Sequence, residues 1–496
     1  MPAAGSAYVL AIDVGSSSVR ASLRDATGTA VAGTATQLTY EFRRTPDGGA
    51  EVDADHLLEL VAGAVDQTLA RSTGRASGIA AVAASMFWHS VLGVDAAGQP
   101  TTPVITWADH RAAGAAAELR ARLDEAAVHR RTGCVLHSSY VPAKLLWLSR
   151  ARPEAFARTA RWISPAEYLG ERLFGTTRVG TSMASGTGLF DQNGRTWDAE
   201  VIAALPITVD QLSPIDDRPL QGLTAPWARR WPALADVPWF PAAGDGACSN
   251  VGSGCTGHDR LALMVGTSGA MRVLWQAEHV DIPPGLWCYR PDARRFVMGG
   301  ALSDGGNLIA WLEQTLRLPD PAAAETAIAA MPPDAHGLTF LPLLNGERGP
   351  QWADRANGAV TGMSMATTPL DIFRAALEAV ALRFALIAEI IDASLPGERH
   401  VVATGGGLLH SPVWTQIMAD ALGKPIVACT VAEASSRGAA LLALEALGAI
   451  PSIEAIPAPL GDTFTPDPAR HAVYRRALDR QRAVYDALIA AATPAG

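Results

Sequence analysis

Tyr8-Val9-Leu10-Ala11-Ile12-Asp13-Val14-Gly15-Ser16-Ser17-Ser18-Val19-Arg20-Ala21-Ser22-Leu23 reads as a strand, a tight polar turn and a second strand. About 250 residues later, Leu261-Ala262-Leu263-Met264-Val265-Gly266-Thr267-Ser268-Gly269-Ala270-Met271-Arg272-Val273-Leu274-Trp275 repeats the plan. In both, an apolar run ends in glycine plus hydroxyl residues, and an arginine (Arg20, Arg272) stands near the start of the next run. Gly15 and Gly266 let the backbone turn sharply and bring N–H groups close to an anion. The hydroxyls of Ser16, Ser17, Ser18, Thr267 and Ser268 add neutral donors. One such turn means little. A pair predicts two halves that hold a nucleotide's phosphates between them. No Gly-x4-Gly-Lys-Ser/Thr stretch occurs, so the expected grip is that of β-hairpins rather than a helix N-terminus.

Outward from the hairpins, strand and helix signals alternate. Helical spacing covers Ala54 to Leu69, Ala112 to Ala127, Pro142 to Arg150 and Ser164 to Leu173 in the first half. In the second half it covers Asn307 to Leu316, Pro369 to Ser394, Pro412 to Leu422, Ser435 to Leu447 and Pro468 to Ala492. Strands are expected at 78–84, 296–298, 400–404 and 425–428. The alternation predicts an α/β fold with helices on both sheet faces. A chain of 496 residues exceeds what one core organises, which predicts two domains with a cleft between them. The junction is placed near 245–255, with a hinge where Gly244, Gly246, Gly252 and Gly254 soften the backbone.

Hydrophobic content of 49% with 18% charged residues fits a well-buried globular protein. The net charge of −9 argues against a nucleic-acid groove. Cys134, Cys248, Cys255, Cys288 and Cys429 follow no zinc spacing, so reduced, buried thiols are expected. No run approaches the ~20 apolar residues of a membrane span. A cytoplasmic protein follows, with small-molecule partners, no nucleic-acid or membrane partner, and a homodimer as one assembly open to it.

Several residues read two ways. Asp13, two residues before the first turn, is a turn-capping carboxylate or one that organises magnesium through water. Asp245, between Gly244 and Gly246, is a turn residue or the carboxylate that accepts a hydroxyl proton as the oxygen attacks a γ-phosphate. His89 is a core histidine or a substrate contact. Trp107, Asp109 and Arg111 make a sugar-sized polar set or a helix cap with an ion pair. Gly405-Gly406-Gly407 is a tight turn or a place where backbone approaches a nucleotide closely.

As an ordered set the motifs resemble the FGGY family of carbohydrate kinases, from about Tyr8 to Gly448. The first loop Asp13–Arg20, Tyr140-Val141-Pro142-Ala143-Lys144-Leu145-Leu146-Trp147-Leu148, Gly244-Asp245-Gly246-Ala247, Gly266-Thr267-Ser268-Gly269, Gly405–Trp414 and Ser436-Arg437-Gly438-Ala439-Ala440 carry the likeness. The resemblance implies duplicated, two-lobed actin/Hsp70/hexokinase-like (ribonuclease H-like) domains around a central cleft. A sugar-binding N-terminal domain would span 1–250 and a nucleotide-binding C-terminal domain 251–496, with a last helix from about 468. It implies ATP and Mg²⁺ as cofactors, Asp245 as base and Asp13 as the magnesium-linked carboxylate. Thr267 would face the γ-phosphate. Gly306, Gly407 and Ser411 would line the nucleotide, Gly406 lying within the same segment, and His89 would touch the sugar. His89-Ser90, Thr106–Arg111, Val265–Arg272 and Gly346-Glu347-Arg348-Gly349-Pro350 resemble the branch that phosphorylates D-gluconate. Phe87-Trp88 is bulkier than that branch's usual pair, and the xylulose kinases share the histidine and the Trp-x-Asp-x-Arg pattern. A non-catalytic nucleotide switch is the alternative of another class, but it needs no base and no polar sugar set.

Overall fold

A computed structural model describes residues 8–353 and 356–490. Each hairpin is the centre of a sheet. In the first, the order is Thr36–Thr39, Ser18–Arg24, Tyr8–Val14, Ile79–Met86, Ala243–Gly244. Its pairings run antiparallel, antiparallel, parallel, parallel. The second sheet repeats that run of directions through Arg295–Leu302, Gly269–Gln276, Arg260–Val265, His400–Thr404 and Ile426–Cys429. Trp287–Tyr289 and Leu460–Phe464 extend its two edges. The duplication legible in the loops is thus a duplication of topology. Strands buried on both faces read as continuous apolar text. Val9 to Ile12, Leu261 to Leu263 and Val401 to Ala403 are almost fully buried.

Each sheet has its own core, and a smaller one under Val91, Ile105 and Leu145 gathers the helices inserted in the first half. The first core also takes in Ala439 to Leu444, from the helix Ala434–Ala446 of the second half. That helix crosses Asp245–Gly252 backbone to backbone. A Cβ on Gly252 would lie 1.8 Å from the Ala434 carbonyl oxygen, and one on Gly438 1.8 Å from that of Cys248. The junction expected to be softened by glycine is therefore a helix, and Gly252 is there because the crossing leaves no room for a side chain.

Helices Pro369–Ser394 and Pro412–Leu422 have their expected bounds, the former started by a Thr368/Asp371 capping box. The run expected at Ala112 to Ala127 divides into Ala113–Arg122 and Glu125–Thr132, because Asp124 accepts the Ala127 N–H and caps a new helix. The last helix is Pro468–Tyr485, followed by a π-helical turn at Asp486–Ala490. Its expected final residues, 491 and 492, lie outside the described residues. It is tied down by Tyr474, which donates to Glu378, and by Arg480, which pairs with Asp334. Asp334, His336 and Glu378 cluster with metal-ligand chemistry, but His336, Arg374 and Tyr474 already bond the Glu378 carboxylate. The cluster reads as a brace. All five cysteines are free and buried. No described helix is long and apolar enough to cross a membrane.

Candidate active site

The first strand delivers Asp13 to the C-terminal edge of its sheet, in register with Arg20 on one side and Ser85 on the other. Its carboxylate is buried and lies 3.6 Å from the Arg20 guanidinium. Burial raises its pKa to about 6; the Ser85 hydroxyl works against this, Asp245 adds to it, and Arg20 opposes it. Asp245 opens the helix Asp245–Gly252 and accepts the Gly246 N–H at 2.7 Å. Burial also raises its pKa, while Arg272 and, more weakly, Arg348 pull it down. A buried carboxylate whose charge is further opposed by a nearby second one suits a divalent cation near it. Asp13 is the residue that would hold Mg²⁺, directly or through its water, and the ion would neutralise charge on the transferring phosphates.

Trp88 sets the Asp245 backbone. Its indole N–H donates to the Ser182 carbonyl at 2.8 Å, and the Ser182 hydroxyl accepts the Gly244 N–H at 3.0 Å. A Cβ on Gly244 would fall 1.8 Å from the Trp88 ring, and one on Gly246 3.0 Å away. The two glycines around Asp245 are therefore sites where the indole reaches the backbone. The bulk of Trp88 is accommodated beneath the Gly244–Gly246 segment.

A cavity of about 190 Å³ opens between the lobes above this segment. The first lobe contributes Ser16, His89, Trp107 and Asp245, and the second Arg272, Tyr289 and Arg348. His89 has a left-handed backbone, φ 62°, and its Nδ1–H donates to the Gly186 carbonyl. Burial drives its pKa down to about 3, so the ring is neutral and Nε2 is an acceptor. Lys144 donates to the carbonyls of His89 and Ser139, holding this backbone in place. The Trp107 indole N–H donates to the Ser16 hydroxyl at 3.0 Å, joining that wall of the cavity to the first loop.

Asp109 is fully buried and does not line the cavity; it accepts from the Ala50 N–H and from Arg111, which also pairs with Glu51. Among the described residues the Arg272 guanidinium makes only long bonds of 3.3–3.4 Å, to the Gly246 carbonyl and the Asn250 amide oxygen. Arg348 has no hydrogen bond or ion pair among the described residues, and its guanidinium stands 5.2 Å from the Trp107 ring centre. Sequence reasoning did not single out Arg348, Trp88, Tyr289 or Lys144 as site residues. Arg348 entered only as a member of the Gly346–Pro350 likeness, and one arginine in a Gly-Glu-Arg-Gly stretch has no periodicity to betray a role of its own.

Both turns close on their own backbone: Gly15 N–H donates to Ser18 at 3.0 Å and Gly266 N–H to Ser268 at 2.9 Å. Ser17 and Thr267 stand exposed at the tips, Ser16 and Ser268 are half-buried, and Ser18 is buried in its strand. Gly306 starts a helix and donates its N–H to the Gly266 carbonyl at 2.8 Å, so that helix seats on the second loop. Gly405 and Gly407 pack on the Val265 backbone, where a Cβ would come within 2.4 and 2.9 Å of its carbonyl oxygen, and Gly406 has more room. Ser411 caps Pro412–Leu422 through the Trp414 N–H and donates to Glu325 at 3.0 Å.

Residues 8–252 match the N-terminal domain of the FGGY family of carbohydrate kinases, and residues 261–447 match its C-terminal domain. The chain belongs to that family. It is 30% identical to a gluconokinase of Bacillus subtilis over 477 residues, 93% of this chain and 92% of the relative. Among solved structures it resembles a gluconate kinase from Lactobacillus acidophilus, at a TM-score of 0.91 and 28% identity, covering 98% of this chain and 99% of the other. A xylulose kinase from the same organism is as similar, at a TM-score of 0.90, 28% identity and the same coverage. The FGGY fold and sugar-kinase chemistry follow from this membership; the acceptor does not, since gluconate and xylulose kinases are equally near.

Proposed function

We propose that this FGGY kinase transfers the γ-phosphoryl group of ATP to the terminal hydroxyl of an open-chain sugar acid, D-gluconate, giving 6-phosphogluconate. The observation that carries the reading is the charge of the cavity. Arg272 and Arg348 both line it, neither has a carboxylate partner within ion-pair distance among the described residues, and Asp245 is the single carboxylate there. His89 is neutral. A cavity with two cations and one anion suits an acceptor that carries a negative charge of its own. Asp245 takes the proton of the attacking hydroxyl, while Arg272 beside it favours the ionised, basic form. His89 Nε2 and the Trp107 side of the cavity position the polyol chain. The exposed tips of the two loops, with Arg20, take the phosphates, and Gly306, Gly406, Gly407 and Ser411 form the nucleotide side. Asp13 would hold Mg²⁺ there, which would supply charge neutralisation when bound.

A coupled ADP-release assay over D-gluconate, xylulose, ribulose, glycerol and erythritol tests the reading. Gluconate is expected to give the highest kcat/KM. Preference for xylulose would move the enzyme to the pentulose kinases, and no acceleration by any acceptor would favour a nucleotide switch.

A further inference from the structure

The unpartnered guanidinium of Arg348 hangs over the sugar cavity, yet the residue before it is among the most tightly held carboxylates in the molecule. Glu347 is 2% exposed. It accepts from the Arg383 guanidinium, from the Tyr485 hydroxyl at 2.7 Å, and from the Ala353 N–H at 3.2 Å. Its own N–H returns to the Ala353 carbonyl at 3.2 Å, closing residues 347–353 into a loop around one charge. Arg383 also bonds Gln351 of that loop at 2.8 Å and lies 5.2 Å from the centre of the Tyr485 ring. The root of the loop is thus clamped by two side chains from distant helices. Arg383 sits mid-way along Pro369–Ser394, and Tyr485 is the last residue of Pro468–Tyr485. Leu341, Leu343, Ala356 and Tyr485 pack together beneath it.

We propose that Tyr485 is a positioning residue for acceptor recognition: by holding Glu347 it aims Arg348 at the anionic end of the sugar acid. A one-bond neighbour of a clamped residue inherits its backbone position, while the side chain stays free for a ligand. The helix Pro468–Tyr485 therefore takes part in choosing the acceptor, although it never touches it. The inference rests on the anionic-acceptor reading for what Arg348 meets. It stands apart from that reading for the link between Tyr485 and Arg348.

The test is a double-mutant cycle in the full-length enzyme. Tyr485→Phe, which removes one oxygen, is expected to raise KM for D-gluconate roughly tenfold while kcat stays within about a factor of two, as loss of ground-state recognition requires. Its KM for D-glucitol, the uncharged polyol of equal length, is expected to be unmoved. Arg348→Gln is expected to raise KM for gluconate further, and adding Tyr485→Phe to it to change nothing more, because the two act through one contact. Independent, multiplying effects, or a fall in kcat with KM unchanged, would overturn the proposal. Glu347→Gln, which keeps the shape of the knot and removes its charge, is expected to reproduce the Tyr485→Phe split; parent-like KM there would also overturn it. If the acceptor panel selects another sugar, the cycle is run on that sugar. Coupling would then keep the positioning role and discard the gluconate reading, and additivity would discard the positioning role.

Discussion

A carboxylate buried like Asp13 is a burden on the fold whenever it is ionised. Its pKa rises from the ordinary 3.8 to about 6 in the folded chain, so the native state holds the proton more tightly than the unfolded one. The penalty is absent below pH 4, grows between pH 4 and 6, and is complete above 6. Two pKa units correspond to about 3 kcal/mol. With magnesium chelated, Asp13→Asn is expected to unfold at higher denaturant than the parent at pH 7.5, an advantage that shrinks toward pH 4. A variant no more stable than the parent at pH 7.5 would mean the carboxylate is not strained. Adding Mg²⁺ is expected to stabilise the parent and not the variant. Asp245→Asn is nearly isosteric and removes the proton acceptor, so turnover is expected to drop ~10²–10⁴-fold with nucleotide binding intact. Turnover within a few-fold of the parent would place the base elsewhere. Asp13 and Asp245 were legible because each interrupts an apolar or glycine-rich run with a charge. Arg348 was legible only as a member of the Gly346–Pro350 stretch, because its freedom is a matter of tertiary packing: Glu347 beside it is held by Tyr485, 138 residues along the chain, which leaves no local trace.

At the scale of elements, periodicity and punctuation carried most of the reading. The 26-residue helix Pro369–Ser394 is bounded by Thr368-Pro369 at one end and Leu395-Pro396 at the other, and both signals are local. The helix Asp245–Gly252 escaped because its sequence, Asp-Gly-Ala-Cys-Ser-Asn-Val-Gly, is poor in helix formers and rich in turn formers. Tertiary packing overrides that preference: the glycines serve the crossing with Ala434–Ala446, where a side chain has no space. Gly438→Ala is therefore expected to destabilise the protein by at least the ~1–3 kcal/mol typical of overpacked sites, although alanine is the better helix former. A urea midpoint equal to that of the parent would mean the two helices separate at no cost, and the crossing would lose its explanation.

For the whole molecule, the duplicated hairpins predicted two lobes, and both sheets follow one topology. The strand Trp287–Tyr289 was not legible, being a three-residue edge that owes its place to the other lobe: Cys288 N–H donates to the Gly133 carbonyl at 3.0 Å, and the Tyr289 and Tyr140 hydroxyls meet at 2.6 Å. These contacts pin the lobes together at this edge, so closure on ligands is expected to come from the loop side. Small-angle scattering with gluconate and a non-hydrolysable ATP analogue is expected to show a smaller radius of gyration. No change at confirmed occupancy would mean a preformed site. The helix Ala434–Ala446, drawn from the second half but packed in the first core, bears on biosynthesis. At ~5–20 residues per second, a ribosome needs roughly 20–90 s to deliver it, and until then the first lobe lacks one wall of its core. A fragment of residues 1–252 is expected to bind a hydrophobic dye and unfold without cooperativity; a sharp unfolding transition would show that the lobe closes alone. From the completion of its first sheet at Ala243–Gly244 until that helix emerges, the nascent protein thus carries an unfinished apolar face, so its exposure to aggregation and to chaperones is set by where one late helix sits in the chain.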